Sequence, residues 1–190
     1  MLKRRTSVSI LLAATSIGSG LWATKSIANA GLTDRSQGSS KNAATPSKPN
    51  IIFNEMIPQL LQKTRVPLRL PQYVPYTDEK GLYAILEVAQ PDAYSIQLAW
   101  AKDCEGGNAC HVGYIGGSKT RSQPGDRPEV PVSLTGGIKG SFVGFDCGAH
   151  CDDASISWNE GEFYYEISLK AGDKETLIRM ANTAIRVSTK

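Results

Sequence analysis

Apolar and polar residues alternate along much of the segment 82–169, and a period of two residues indicates β-strands with one buried face. Apolar residues occupy alternate positions in five runs: Leu82, Ala84, Leu86 and Val88; Tyr94, Ile96, Leu98 and Trp100; Val130, Val132 and Leu134; Ile156 and Trp158; and Phe163, Tyr165, Ile167 and Leu169. Turns at 136–137 and 159–161 separate runs at the spacing of hairpins. The pattern predicts six or seven mostly antiparallel strands, with the aromatic side chains of these runs in the core.

Two other segments have apolar residues every three or four positions, which is the spacing of amphipathic helices. The first begins at the N-cap Asn50 and ends near Thr64, and Pro58 predicts a kink or two pieces. The second runs from the N-cap Asp173 to Ile185. The predicted buried faces are Ile52, Met56, Ile57, Leu60 and Leu61 in the first, and Leu177, Met180, Ala181, Ala184 and Ile185 in the second. The segment 66–75 contains three prolines and is predicted to be an extended arm.

The first 50 residues differ in composition from the rest and predict two segments outside the folded domain. Residues 1–30 have a basic start, a short apolar stretch and small residues at Ala28 and Ala30, which is typical of a cleaved secretory signal peptide. Residues 31–50 are rich in Ser, Asn, Gly and Pro and indicate a flexible linker. Residues 51–190 then form one disulfide-containing α+β domain, a meandering, mostly antiparallel sheet of six to seven strands with an N-terminal and a C-terminal helix packed on one face.

Removal of the predicted signal peptide changes the charge of the protein. Residues 1–30 carry four of the 21 basic residues and no acidic residue, which leaves 17 basic against 18 acidic residues. A nucleic-acid-binding surface is basic, so a balanced mature chain argues against nucleic acid as a partner. The short apolar stretch also predicts that no stable membrane anchor remains after cleavage. Sec and Tat export stay open as alternative routes.

Four cysteines in a chain predicted to be exported indicate disulfide bonds. They are Cys104, Cys110, Cys147 and Cys151. Glycine lies between the members of each neighbouring pair, so the chain can bend there, and proximity favours the local pairs Cys104–Cys110 and Cys147–Cys151. The crossed pairings stay open as alternatives, because longer loops are stabilised by about 4 kcal/mol against under ~3 kcal/mol for each local loop.

The stretch FDCGAHCDD (145–153) admits two other kinds of chemistry. A redox centre would use Cys147 and Cys151, but their spacing is Cys-x-x-x-Cys and neighbouring aspartates would raise a thiol pKa. A zinc site would use Cys147, His150 and Cys151, with His111 as a further candidate ligand, but an oxidising compartment argues against free thiolates. A structural disulfide is therefore favoured, and no metal or cofactor is predicted.

Motifs of common enzyme classes are missing from the sequence. It contains neither G-x-S-x-G nor H-E-x-x-H, and the phosphate-loop-like stretch 113–120 has Ser118 where that motif requires glycine. Glu160, Glu162 and Glu166 are interpreted as a turn and an outer strand face rather than a glycosidase pair. A carbohydrate-stacking surface would require the aromatic side chains on an exposed face. No catalytic residue is predicted.

Three stretches resemble known proteins: LPQYVP (70–75), DCEGGNACHVG (103–113) and the segment 147–185. Together they resemble a family of small uncharacterised exported proteins found mainly in cyanobacteria. The C-terminal half is also similar to extracytoplasmic sensor-type domains of bacterial membrane-anchored proteins, through Trp158, Glu160, Gly161, Tyr164, Glu175, Leu177, Met180, Ala181 and Asn182. The resemblance implies an extracytoplasmic domain and supplies no catalytic residues.

These observations favour an exported, non-enzymatic domain, periplasmic or secreted, that binds a protein partner or an envelope component. One alternative is an envelope enzyme, either thiol–disulfide or metal-dependent, centred on Cys147 and Cys151. Another is an extracytoplasmic sensor or an anti-sigma-like partner.

Overall fold

The structure is a computed structural model and describes residues 47–77, 81–105, 108–120, 126–148 and 151–187. The strands are β1 (Tyr83–Gln90), β2 (Ala93–Ala99), β3 (His111–Ser118), β4 (Glu129–Ser133), β5 (Lys139–Val143), β6 (Asp146–Cys147), β7 (Cys151–Asp152), β8 (Ala154–Glu160) and β9 (Phe163–Leu169). The helices are α1 (Ile57–Lys63) and α2 (Lys174–Arg186), with 3-10 turns at Ile51–Phe53 and Thr135–Gly137.

Seven of the strands form one antiparallel sheet in the order β1-β2-β3-β9-β8-β5-β4. The remaining strands, β6 and β7, pair only with each other in a small two-stranded ribbon. The predicted α+β fold is confirmed. The meander has one non-local junction at its centre, because β3 pairs with β9, which follows it by about fifty residues in the sequence.

The core lies on one face of this sheet. Ile96, Ile115, Ile167 and Ile156 are directly cross-strand neighbours on β2, β3, β9 and β8, and each is at most 1% exposed. Full burial of one such side chain contributes about 1.5–3 kcal/mol relative to its exposure. Both helices contribute to the same apolar cluster, so they pack on one face of the sheet as predicted.

The N-terminal helix is in two pieces, as Pro58 predicts. Asn50 caps the first turn by accepting a hydrogen bond from Ile52 N at 3.2 Å, and α1 begins only at Ile57. The break changes the helical phase, so the predicted buried face is wrong at one position. Leu61 is 48% exposed, whereas Phe53 is fully buried.

The C-terminal helix follows its prediction closely. The Asp173 carboxylate accepts hydrogen bonds from the backbone N–H and hydroxyl of Thr176, which lower the pKa of Asp173 below its usual value. Four of the five predicted apolar positions are buried, and Ile185 is partly buried. Thr183 is also buried, and its hydroxyl accepts a hydrogen bond from Tyr73 N of the arm at 3.2 Å.

An ion pair attaches the extended arm to the sheet. The Arg69 guanidinium donates from Nε and Nη2 to the two carboxylate oxygens of Glu160, at 2.9 and 2.7 Å. The indole N–H of Trp158 also donates to Glu160, and the Tyr165 hydroxyl donates to Pro67 O. Burial pushes the pKa of Glu160 upward, but the hydrogen bonds from Arg69 and Trp158 outweigh it and leave this pKa below its usual value. Glu160 therefore holds the arm and is not part of a turn.

We expect Arg69→Met to lower the free energy of unfolding by about 2 kcal/mol at pH 7, because Glu160 loses a charged partner while four-fifths buried. In the parent protein, Glu160 has a folded pKa below the unfolded value of 4.5, so its contribution is present above pH 4.5 and lost as pH falls through the lower folded pKa. Urea unfolding between pH 7 and pH 3 measures both effects. The parent protein should lose more stability over this range than Arg69→Met does.

The control for this prediction is Lys119→Met, which removes the exposed pair with Glu162. Both side chains of that pair are more than half exposed, so the change should cost no more than about 0.5 kcal/mol. Equal losses in the two variants would contradict a special role for the Arg69 pair.

Four sequence predictions on the strands require correction. Val88 is not on the face of Leu86, because the register shift between them places Val88 beside Ser95 on the opposite face of the sheet. Trp100 is 38% exposed, because β2 ends at Ala99 and its register against β3 shifts after Leu98. Val130 is 44% exposed on the edge strand β4. Strand β8 continues through Asn159 and Glu160, so the turn before β9 consists of Gly161 and Glu162, with Gly161 at a φ of 62°.

Candidate functional site: a polar trough on the second face of the sheet

The face of the sheet opposite the core carries small polar side chains and tyrosines. Cross-strand pairing places on it Ser95, Gln97, Tyr114, Gly116, Ser118, Tyr164, Glu166, Ser168, Ser155, Ser157, Asn159 and Ser141. Those on β2, β8 and β9 follow the alternating runs that predicted these strands, whereas no alternating run predicted β3. In the described part of the chain both helices pack on the other face.

Both disulfides lie at one end of this sheet. The bonds are Cys104–Cys110 and Cys147–Cys151, which confirms the predicted local pairs. The first lies in the connection from β2 to β3, and the second joins β6 to β7 between β5 and β8. Cys104 is buried and its sulfur accepts a hydrogen bond from Gln97 at 3.6 Å, so the first loop covers the end of the polar face. Cys147 and Cys151 are exposed.

A cluster centred on Asp153 lies between the two disulfide loops. One carboxylate oxygen of Asp153 lies 2.8 Å from His111 Nε2 and accepts a hydrogen bond from the Ser168 hydroxyl at 3.0 Å. Ser168 Oγ in turn accepts from Tyr114 N at 3.2 Å. His111 is 10% exposed, and its Nδ1 is buried without a hydrogen-bond partner among the described residues. The cluster links β3, β9 and the start of β8.

The order of contacts in this cluster decides what it can do chemically. In a nucleophilic triad the histidine lies between the hydroxyl and the carboxylate and accepts the hydroxyl proton. Here the Ser168 hydroxyl and the His111 ring both contact the same oxygen of Asp153. The Ser168 proton is therefore directed at a carboxylate rather than at a histidine base. The arrangement therefore differs from the order of contacts in a nucleophilic triad.

Two cations hold the loops beside this cluster. Arg127 Nη1 donates to the carbonyl oxygens of Gly144 and Asp153, at 3.0 and 2.9 Å. Lys170 Nζ donates to the carbonyl of Asn108 in the first disulfide loop. Because these cations donate hydrogen bonds to backbone oxygens, they hold the loops beside the Asp153 cluster in place.

The polar face contains a trough across β2, β3 and β9, with Val88 of β1 at its edge and a volume of about 350 Å³. Gly116 forms its floor between Ser95 and Glu166, while Tyr114 and Tyr164 lie on either side. The Tyr164 hydroxyl donates to Glu166 at 3.1 Å. A neighbouring depression of about 330 Å³ reaches the Asp153 cluster and shares Tyr114, Glu166 and Ser168 with the trough. The two depressions form one continuous polar surface.

The Tyr114 ring is fixed in its place. Its centroid lies 4.7 Å from that of His111, with the planes tilted by 36°. Burial raises the pKa of Tyr114, and the nearby carboxylates of Glu87 and Asp153 raise it further. Tyr114 therefore stays a neutral phenol at physiological pH and can donate a hydrogen bond.

The residues proposed for zinc take other roles or lie outside the described residues. The sulfurs of Cys147 and Cys151 are bonded to each other, His111 contacts Asp153, and His150 is outside the described ranges. Within those ranges no three His, Cys, Asp or Glu side chains are grouped as metal ligands. The predicted cleavage residues Ala28 and Ala30 are also outside them.

Comparisons with known proteins found no match: no family model, no curated protein and no solved structure is similar to this chain. Among the described residues, neither helix has the length and apolar character needed to span a membrane.

Proposed function

We propose that this chain is an exported, non-enzymatic domain, periplasmic or secreted, that binds a component of the cell envelope in the trough on the polar face of its sheet. The observation that carries the proposal is the trough itself, whose floor is Gly116 and whose walls are Tyr114 and Tyr164. Its volume falls within the roughly 300–1,000 Å³ range of small-ligand sites. The two disulfides support an oxidising compartment.

Binding suits this site better than catalysis. The Asp153 cluster beside the trough orients Ser168 and Tyr114 without placing a histidine against a hydroxyl. Binding sites use fixed donors and acceptors on a rigid sheet, and these side chains are of that kind.

We rank the alternative functions that the sequence suggests below the binding of an envelope component. Thiol–disulfide chemistry has one supporting observation, since Cys147 and Cys151 are exposed and Cys151 lines the depression next to the trough. An envelope sensor or anti-sigma-like partner would also bind through a surface, but the polar trough resembles a ligand site more than an apolar protein interface.

Retention of the purified full-length chain on insoluble envelope material tests the proposal. Replacement of Tyr114 and Tyr164 by alanine should weaken retention by about tenfold or more, because both walls of the trough are removed. Tyr76→Ala is the matched control: Tyr76 is 45% exposed, contacts Trp100 and does not line the trough. It should leave retention unchanged.

Other outcomes of this experiment would contradict the proposal. Equal retention of all three proteins, or no retention of the parent chain, would exclude the trough as an envelope-binding site. Retention that depends on Cys147 and not on the tyrosines would favour the thiol–disulfide alternative.

A further inference from the structure

We infer that the ligand of the trough is a neutral saccharide, held between the two tyrosine rings and hydrogen-bonded by the hydroxyls and the carboxylate that line the trough. This inference rests on the proposed function and names the chemical class of the ligand. It rests on the aromatic walls of the trough, on the polar groups that line it and on the charge of the site.

The walls present aromatic surface, joined by Val88 and Ala93, on a face whose other lining residues are mostly polar. Tyr114 is opposite Ser168 and Tyr164 is opposite Ser118, so the two rings lie diagonally across Gly116 and its partner Glu166. Both rings are partly exposed and both line the trough. One face of a pyranose ring is made of C–H groups, and such a face packs on an aromatic ring while its hydroxyls stay free for hydrogen bonds.

The groups between the rings match a polyol. Ser95 offers a hydroxyl that can donate and accept, and Glu166 offers two acceptor oxygens, one of which also accepts from Tyr164. The hydroxyls of Ser118 and Ser168 donate to Thr120 O and Asp153, so their oxygens serve a ligand as acceptors. A sugar carries adjacent hydroxyls that donate and accept in the same way. An apolar ligand would leave this set of lining groups without partners, at a cost of about 1–3 kcal/mol for each group that is buried.

The charge of the site argues against an anionic ligand. Of the described residues that line the trough, none is lysine, arginine or histidine, whereas Glu166 is acidic. Glu87 and Asp153 are close enough to act on Tyr114, so they add negative potential. Arg127 and Lys170 line the neighbouring depression rather than the trough, and Lys119 pairs with Glu162. A phosphate, a sulfate or a uronate in the trough would therefore lie beside Glu166 without a cation in contact with it.

The site is also pre-organised, which favours a ligand that binds through many modest contacts. Asp153 holds Ser168, Ser168 accepts from Tyr114 N, and His111 packs against the Tyr114 ring. The trough lies on three paired strands rather than on loops. Binding then costs little ordering of the protein, so several hydrogen bonds and two ring contacts are enough for specific recognition.

The test is binding of the full-length chain to an array of neutral, anionic and cationic oligosaccharides together with an oligolysine peptide. Neutral glycans should bind, and the changes that they cause in the protein's amide NMR chemical shifts should be largest at Gly116, Gly117 and Ser95. Tyr114→Ala should weaken this binding about tenfold, whereas Tyr114→Phe, which keeps the ring, should weaken it less than about threefold. Glu166→Gln should weaken it several-fold, because the amide replaces one acceptor by a donor. The salt dependence should be slight.

Two results would overturn the inference. If no neutral glycan binds, the ligand is of another class. If oligolysine binds instead, with strong salt dependence and loss in Glu166→Gln, the trough takes a cationic chain. In either case, tyrosine-dependent retention on envelope material would leave the proposed function intact, whereas loss of that retention as well would refute both.

Discussion

Trp158→Ala is expected to lower the free energy of unfolding by about 3–5 kcal/mol, which is the range for removing a large buried aromatic side chain. Trp158 is 2% exposed and stacks on Tyr165, with ring centroids 5.5 Å apart. Its indole N–H also donates to Glu160, which holds Arg69 of the arm. The substitution therefore leaves a cavity in the core and weakens the attachment of the arm. Urea unfolding followed by circular dichroism measures the loss.

Trp100→Ala is the matched control, since it makes the same chemical change at a site that is 38% exposed. Trp100 contacts Tyr76 at the surface, with centroids 5.6 Å apart, so the cost should be about 1 kcal/mol or less. Losses of the same size in the two variants would contradict the assignment of Trp158 to the core and Trp100 to the surface. Trp158→Phe should recover part of the stability, because it refills much of the cavity without restoring the hydrogen bond to Glu160.

Gly113→Ala is expected to cost about 3 kcal/mol, near the upper end for overpacking. A Cβ atom at Gly113 would lie 2.1 Å from the carbonyl oxygen of Ser168, in the backbone of β9. That oxygen cannot rotate away, so β3 and β9 would have to separate where they pair. Thermal and urea unfolding of the variant measure the effect.

Gly148→Ala is the control for this substitution, because a Cβ atom at Gly148 would meet none of the described residues within 4 Å. It should change the stability by less than about 0.5 kcal/mol. A Gly113→Ala protein as stable as the Gly148→Ala protein would mean that β3 and β9 move apart easily, which their central place in the sheet argues against.

Trp100 and Trp158 show how far the periodicity of apolar residues can predict this fold. Both fall on the apolar phase of an alternating run, and the sequence predicts the same buried environment for each. Only Trp158 is buried, because alternation ceases to apply where a strand ends or its register shifts, as it does around Ala99. By contrast, helix α2 is predicted well, since its apolar stripe extends over three turns and its N-cap is a local feature.

The disulfide pairing could be predicted from the sequence, whereas the trough could not. Each disulfide closes a short loop with glycine inside it, so proximity along the chain predicts the pairs. The trough depends on β3 lying beside β9, and no local pattern predicts which strands become neighbours across such a distance. The alternation does place Tyr164 on the polar phase of its strand, which is a usable signal for an exposed aromatic ring, whereas no alternating run predicts β3 and its Tyr114. No local signal indicates that Asp153 meets His111 or that Arg127 holds the second disulfide loop.

The central junction of the sheet has a consequence for folding. Strands β1, β2 and β3 are consecutive in the chain and can form as a local meander, and β8 and β9 can form a hairpin by themselves. The pairing of β3 with β9 brings these units together and requires a long loop to close, which is the slower kind of event. The trough spans this junction, so neither unit can bind a ligand before the two have joined. A ligand that binds only the joined form shifts the folding equilibrium toward the complete sheet by mass action.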